Sequence, residues 1–485
     1  MLLATPLAGF AQYAPMYGAY PRPVAPYGYP NGFPMYGNPA LMQFPGGGVP
    51  APTQPIPGYD GSRATPAQPT QNPAPGDALP TFETDALGTP PLPAPETPDG
   101  DLLHPRLRRP DRLWVSADYT PVFIRSGPLQ IPLVTSGPVL PNAADNPGAL
   151  GQPGTAVLFG YQDLQWGRLD GIRGAAGIWF DTENHLGLEM RGTWVFQQHI
   201  RFAAGADGNG NPLLARPVFA TNSRPGVPSG EVVSLVAFSP DQTGTIQIDA
   251  PTQFWDLEVN MRFQDYFSPV TRGSWLFGFR TARLDESILI QSSTTALLDG
   301  TGITYRKDTP LATGDRLLIE DSFQNVNQFY GLQLGGLWAL DLDRFFVEMH
   351  GKAAVGVTHE QARIAGTTTF RPRVGIADTS VGGLLTQTSN IGVYNRFVLS
   401  FLPEAGINLG MNVMENLRIK GGYSGILWSR VMRPGQAIDR RVDLTQVPSS
   451  PDFQTDFPGS PAPLFSFRDQ MLWLHVFNIG LEFHY

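Results

Sequence analysis

The chain contains no cysteine. That excludes a disulfide framework, a thiolate nucleophile and a Cys-ligated metal. Charge is scarce as well. Asp, Glu, Lys and Arg make up 15% of the 485 residues, against roughly 25% in an average soluble protein. Acidic residues outnumber basic ones, 42 to 33, for a formal net charge of −9. Nucleic acid is therefore not an expected partner, because phosphate binding wants a basic face. Long apolar runs are missing too, and no stretch reaches the about 18 residues that a membrane-spanning helix needs.

Glycine (54) and proline (48) are abundant. Residues 1–11 (MLLATPLAGFA) read as the remnant of a signal peptide, with an apolar run and then Gly9 and Ala11 at cleavage spacing. The positive first segment of a complete signal is lacking, which points to a start upstream of Met1. Residues 12–110 are dominated by Pro, Gly, Ala and Tyr. Proline at this density removes backbone donors and blocks helix and ladder alike. The segment reads as a disordered, partly polyproline-II tether on the periplasmic side. A spacer is the expected role; contact with cell-wall polymer is the binding alternative.

From Arg112 apolar and polar residues alternate, the period of a strand with two different faces. In Phe254 to Phe263, Trp255, Leu257, Val259, Met261 and Phe263 share one face; Asp256, Glu258, Asn260 and Arg262 share the other. About ten such segments are predicted: Arg112 to Ile124, Ile172 to Phe180, His185 to Ile200, Gln253 to Tyr266, Ser274 to Leu284, Asn325 to Leu340, Phe345 to Ile364, Asn395 to Val413, Leu417 to Ser429 and Met471 to Tyr485. Their connections alternate. Asp181 to Asn184, Phe267 to Gly273, Asp341 to Arg344 and Met414 to Asn416 are short. Those near 125–171, 201–252, 285–324, 365–394 and 430–470 are long and polar, and are expected outside the cell. This sorting is what transmembrane barrels show and what a soluble sandwich has no reason to adopt. The expected fold is all-β, a transmembrane antiparallel up-and-down β-barrel of about ten strands spanning 111–485. A further hairpin, Val232 to Phe238 with Thr245 to Asp249, would extend a strand pair outside the membrane or raise the number to twelve.

Charge facing lipid at mid-depth costs roughly 2 to 4 kcal/mol for Arg or Lys, so the charges on these segments are expected inside. They are Glu189, Arg191, Asp256, Glu258, Arg262, Arg280, Glu348, Lys352, Glu404, Arg418, Lys420 and Glu482. Eight-stranded barrels are filled by side chains and open porins use about 16 to 18 strands, so ten strands predict a narrow or blocked lumen. The final residues NIGLEFHY place Asn478, Gly480, Phe483 and Tyr485 at the spacing of the C-terminal signal read by barrel-assembly machinery through strand addition. Expected partners are thus outer-membrane lipid and that machinery.

No catalytic residues, metal or cofactor are expected. His350 and His359 share a strand but sit too far apart to chelate one ion directly, and no HExxH occurs. Tyr423-Ser424-Gly425 after Gly422 is not G-x-S-x-G. Asp341 and Asp343 read as turn formers rather than calcium ligands.

Several segments resemble the beta-barrel porin-7 family of bacterial outer-membrane proteins: Gly151 to Gly160, Ala215 to Phe219, Leu276 to Glu286, Asn327 to Trp338, His350 to Glu360, Leu402 to Val413, Ile426 to Asp443 and Phe477 to Tyr485. The resemblance implies an outer-membrane barrel and carries no catalytic residue or substrate. Two functions follow as expectations. The first is a porin-like barrel passing small solutes through a narrow polar lumen. The alternative is a structural or surface-interaction barrel with an occluded lumen, its external loops binding a ligand. An outer-membrane enzyme is a distant third.

Overall fold

The computed structural model describes residues 112–138, 146–221, 229–268, 270–300, 303–455 and 462–485. The expected leader and tether lie outside the described residues. Ten long antiparallel strands form a ring. They are β1 (Leu113–Tyr119, continued by Val122–Ile124), β2 (Gly171–Trp179), β3 (Leu186–Gly205), β4 (Gln242–Ser268), β5 (Thr271–Ala296), β6 (Arg316–Leu342), β7 (Phe345–Arg371), β8 (Gly392–Met414), β9 (Leu417–Met432) and β10 (Asp469–His484).

Each strand pairs with the next, and β10 returns to β1 in register from Trp114↔His484 to Tyr119↔Ile479. The amides of Arg112 and Leu113 both donate to the Tyr485 carbonyl. Closure removes the bare outer edges of the first and last strands, which lipid does not tolerate because no water is there to satisfy an N–H or C=O. Gly480 permits this closure. A Cβ there would lie 2.1 Å from Asp118 Oδ1 and 2.3 Å from the Ala117 carbonyl oxygen.

The predicted short connections are tight turns. Asp181 accepts from the His185 and Leu186 amides, both at 2.9 Å, and Asp343 takes a left-handed φ of 57°, which Asp tolerates better than most residues. The hairpin raised as a route to twelve strands is not one. Thr245 to Asp249 belongs to β4, and Gly230–Ala237 pairs instead with Leu214–Ala220. The ring stays at ten.

The strands run well beyond their predicted ends. β4, β6 and β7 have 27 residues each, where about 9 to 11 cross a bilayer. The reason is an inversion of faces. In the lower part of β4, Leu257, Val259 and Phe263 point outward, 37–47% exposed, and Asp256, Glu258 and Asn260 are buried inward. Higher up, Phe254, Ala250, Ile248 and Ile246 are inward and buried, while the outward positions become Gln253, Asp249, Gln247 and Thr245. β5 does the same. Trp275, Phe277 and Phe279 face out below, whereas Leu284, Ile288 and Ile290 are buried inside above, opposite Asp285, Ser287 and Gln291. The lower wall is apolar outside and polar inside, as lipid requires. The upper wall is polar outside and apolar inside, as water requires.

Two outward arginines test this division. Leu334→Arg, in the lower wall at a site 65% exposed, should cost about 2–4 kcal/mol. Gln291→Arg, above the boundary, should stay within about 0.5 kcal/mol. Urea unfolding of both variants in phospholipid vesicles measures the difference; equal costs would place both sites in one solvent.

Candidate functional site in the barrel lumen

Parity along each strand decides what points inside. In the lower half, charged residues beyond those foreseen face inward: Asp118 on β1 and Arg173 on β2, 6% and 7% exposed, and the Arg272–Asp341 pair near the short turns. Among the described residues the lining then holds eight acids (Asp118, Glu189, Asp256, Glu258, Asp341, Glu348, Glu404, Glu482) and eight bases (Arg173, Arg191, Arg262, Arg272, Arg280, Lys352, Arg418, Lys420). At its centre Arg280 reaches Asp256 at 2.5 Å and Glu404 at 2.7 Å. Lys352 reaches Glu258 at 2.5 Å and Glu404 at 3.5 Å, and Arg173 lies 4.0 Å from Glu404. These contacts join β2, β4, β5, β7 and β8 across the lumen. His350 contacts Glu404 at 3.2 Å, and Gln333 donates to Glu258 at 2.6 Å.

Two satellite groups flank this centre. Glu189 is shared by Arg191 at 3.3 Å and Arg262 at 3.5 Å, and Arg262 stacks 5.1 Å over Trp179. Lys420 and Arg418 meet Glu482 at 2.9 and 3.6 Å, with Arg418 5.0 Å over Phe346. Of the predicted inward charges, Glu189, Asp256, Glu258, Arg280, Lys352, Glu404, Arg418, Lys420 and Glu482 are buried; Arg191, Arg262 and Glu348 are half-buried. Equal numbers of opposite charges at these distances tie the strands together across the lumen.

The carboxylates of Asp256, Glu258 and Glu404 lie within 4.8 Å of one another, a cluster the sequence reading did not single out. Arg280 and Lys352 engage all three, and Arg173, 4.0 Å from Glu404, brings a third positive charge to the three carboxylates. Ser424 accepts from Arg173 Nη1 at 3.1 Å and is part of the same layer. His350 and His359 fall on opposite faces. His350 is buried inside, and His359 stacks on outward Phe397 at 4.7 Å. Asp341 pairs with Arg272 at 2.6 Å. Within the predicted insertion signal, Asn478 is buried and donates to Asn408 at 3.2 Å, whereas Phe483 and Tyr485 are exposed.

Above the ionic layer the lumen is apolar and full. Phe254, Phe323, Phe329, Trp428, Leu402 and Leu474 are buried to 0% exposure, and the long connections fold back onto them. Pro132–Ser136, Ala156–Gly160, Leu214–Ala220, Gly230–Ala237 and Arg441–Val442 form a five-stranded sheet. It packs on the inward face of the upper wall and shares one hydrophobic core with it. Buried ion pairs pin these segments. Arg216 reaches Asp321 at 2.6 Å. Arg433 grips Glu286 through two nitrogens, with Nη2 at 2.8 Å, and stacks 5.4 Å from the Trp166 ring. Asn327 clamps the Met432 backbone, donating to its carbonyl at 2.9 Å and accepting from its amide at 2.8 Å. Burial acts to raise the pKa of Asp439, but hydrogen bonds from Arg441 and the Leu464 amide outweigh it and hold the carboxyl below its usual range.

Removing the central cation tests the ionic layer. Arg280→Ala strands Asp256 and Glu404 in a buried site and should cost about 3–5 kcal/mol. Arg280→Met with Asp256→Leu should recover part of that loss. Urea midpoints in vesicles compare the two, and an Arg280→Ala midpoint equal to that of the wild type would deny the layer its structural role.

The beta barrel porin-7 (BBP7) family matches residues 114–485. No curated protein matches the chain. Among solved structures, the outer membrane protease OmpT from Escherichia coli aligns at 8% identity and a TM-score of 0.36, over 78% of this chain and 97% of that one. The Pseudomonas putida toluene transporter TodX aligns at 8% identity and a TM-score of 0.18, over 78% and 91%. A Pseudomonas aeruginosa FadL homologue aligns at 8% identity and 0.19, over 77% and 90%. Likenesses this distant say nothing of what this chain does. With its closed ring and lipid-facing apolar belt, the protein is an outer-membrane β-barrel, and it belongs to the beta barrel porin-7 family.

Proposed function

We propose that this protein is a sealed surface barrel: it anchors a folded external platform in the outer membrane, and ligand or partner recognition falls to the loops at its outer end. One observation carries the reading: the lumen is filled at two levels. A charge-balanced layer spans the lower half, and an apolar core continuous with the folded-back connections fills the upper half. Ions or polar solutes would have to break buried ion pairs and then cross hydrocarbon side chains. Both steps are costly, because a buried charge that loses its partner goes uncompensated. In this reading the N-terminal segment is a periplasmic tether, since residue 112 enters at the end of the barrel with the short turns. Catalysis is not part of the proposal.

Passage of small solutes is the competing reading. What favours it is the hydrophilic lining itself, which a rearrangement of the ion pairs could turn into a narrow path. Purified protein in planar bilayers separates the two. The sealed reading expects no stepwise conductance in the wild type. Regular unitary steps, absent from protein-free controls, would overturn it in favour of the pore.

A further inference from the structure

Above the lipid belt, parity brings a block of polar side chains to the outer face of the wall. Across β4, β5, β6 and β7 the ladder sets Gln247, Gln291, Glu320 and Thr367 side by side. One pleat higher, Thr245, Ser293, Leu318 and Thr369 form a second row. These outward residues, with Arg371 above them, line a hollow of about 410 Å³. Small-molecule sites occupy roughly 300–1,000 Å³. Leu318 is the one apolar side chain in the two rows; the others are hydroxyls, amides and a single carboxylate.

At the next pleat Arg316 and Arg371 stand directly opposite each other, and both are exposed. Like charges placed this way repel and weaken a ladder. Among the described residues neither guanidinium is in an ion pair. The acids around them are engaged elsewhere. Asp315 accepts from the Ala312 and Arg373 amides at 2.9 and 2.7 Å, Asp378 pairs with Arg306 at 3.3 Å, and Glu320 accepts from the Gln291 side chain at 2.9 Å. Arg283, lower on the same face of β5, shows the opposite arrangement: two of its nitrogens reach Asp285 at 2.7 and 2.9 Å.

From this we infer that the hollow is a binding site for an acidic saccharide, a stretch of polysaccharide lying against the flank of the barrel outside the membrane. Hydroxyls and amides each donate and accept, as the hydroxyls of a sugar do. The arginine pair beside them offers two-pronged hydrogen bonds to a carboxylate or phosphate, and such an anion would relieve the repulsion between the two. A protein partner would require apolar anchors at the centre of the patch, where Leu318 stands alone. A lipid headgroup is too far down: Gln247 lies eight residues beyond Trp255, the last apolar outward residue of β4, which is roughly 25 Å along the strand. The site goes beyond the sealed-barrel reading, since it sits on the outside of the wall and takes no part in closing the lumen.

The full chain in detergent micelles, passed over immobilised polygalacturonate, hyaluronate, phosphorylated dextran and neutral dextran, tests this directly. At least one acidic polymer should retain the protein at least tenfold more strongly than dextran. Arg316→Gln with Arg371→Gln should lower that retention at least tenfold. Gln291→Ala should lower it several-fold without altering the charge. Arg283→Gln, outside the hollow, should leave it unchanged, and a heat-modifiable gel shift verifies folding of each variant. Retention of no acidic polymer above dextran, or retention that survives the double substitution, would overturn the site. Retention indifferent to Gln291→Ala would overturn it as well, leaving a charged patch with no sugar pocket. Conductance in planar bilayers bears on the seal alone, so failure of that reading and failure of this one are told apart.

Discussion

The structure depends on one requirement: at lipid depth each backbone N–H and C=O must find a partner within the protein. A linear array of ten strands leaves two bare edges, and the β1–β10 pairing removes both. That pairing is sterically tight, since Gly480 lies against Asp118 and Ala117 where a side chain would collide with the neighbouring backbone.

A ring of ten strands also fixes the size of the interior. It is too narrow to leave a wide aqueous channel and wide enough that small side chains cannot fill it. Two different fillings result. Within the membrane zone the inward face must be polar, because the apolar residues are drawn outward by lipid, and the resulting charges are stable only as opposite pairs. Above the membrane the outward face meets water, so apolar residues return inside and the long connections fold onto them as a conventional core. The Arg433–Glu286 and Arg216–Asp321 pairs sit within that core. There they fix which segment packs where, a specificity that hydrophobic contact alone supplies poorly.

Much of this is legible in the sequence where contrast between faces is strong. Trp255 to Phe263 alternates without exception, and the short turns at Asp181 to Asn184 and Asp341 to Arg344 mark one end of the barrel. Contrast fails on β1 and β2, whose outward positions include Ala117, Gly174 and Ala176. The parity that places Asp118 and Arg173 inside is faint there, so the sequence singles out neither as a lumen charge. The sequence pattern marks strand ends where the apolar outward face stops, because the alternation beyond has the opposite sense: Ile246, Ile248, Ile288 and Ile290 are core, not membrane surface. The inner sheet reads as external loop in the sequence for a different reason. Its strands are short, and the pairing of Leu214–Ala220 with Pro132–Ser136 and with Arg441–Val442 joins segments distant in the chain. No local pattern encodes that. The meeting of Asp256, Glu258 and Glu404 is likewise a matter of three strands facing one another.

The reversal of faces along β4 and β5 has a consequence for folding errors. In a sheet with one solvated side, slipping a strand by one residue exchanges core and surface once. Here a single slip on β4 would drive Asp256 and Glu258 into lipid and, further along the same strand, turn Ile246 and Ile248 out into water. The two penalties have different physical origins and add. A misaligned strand is therefore rejected at both of its ends, so each long strand checks its own alignment against two solvents at once.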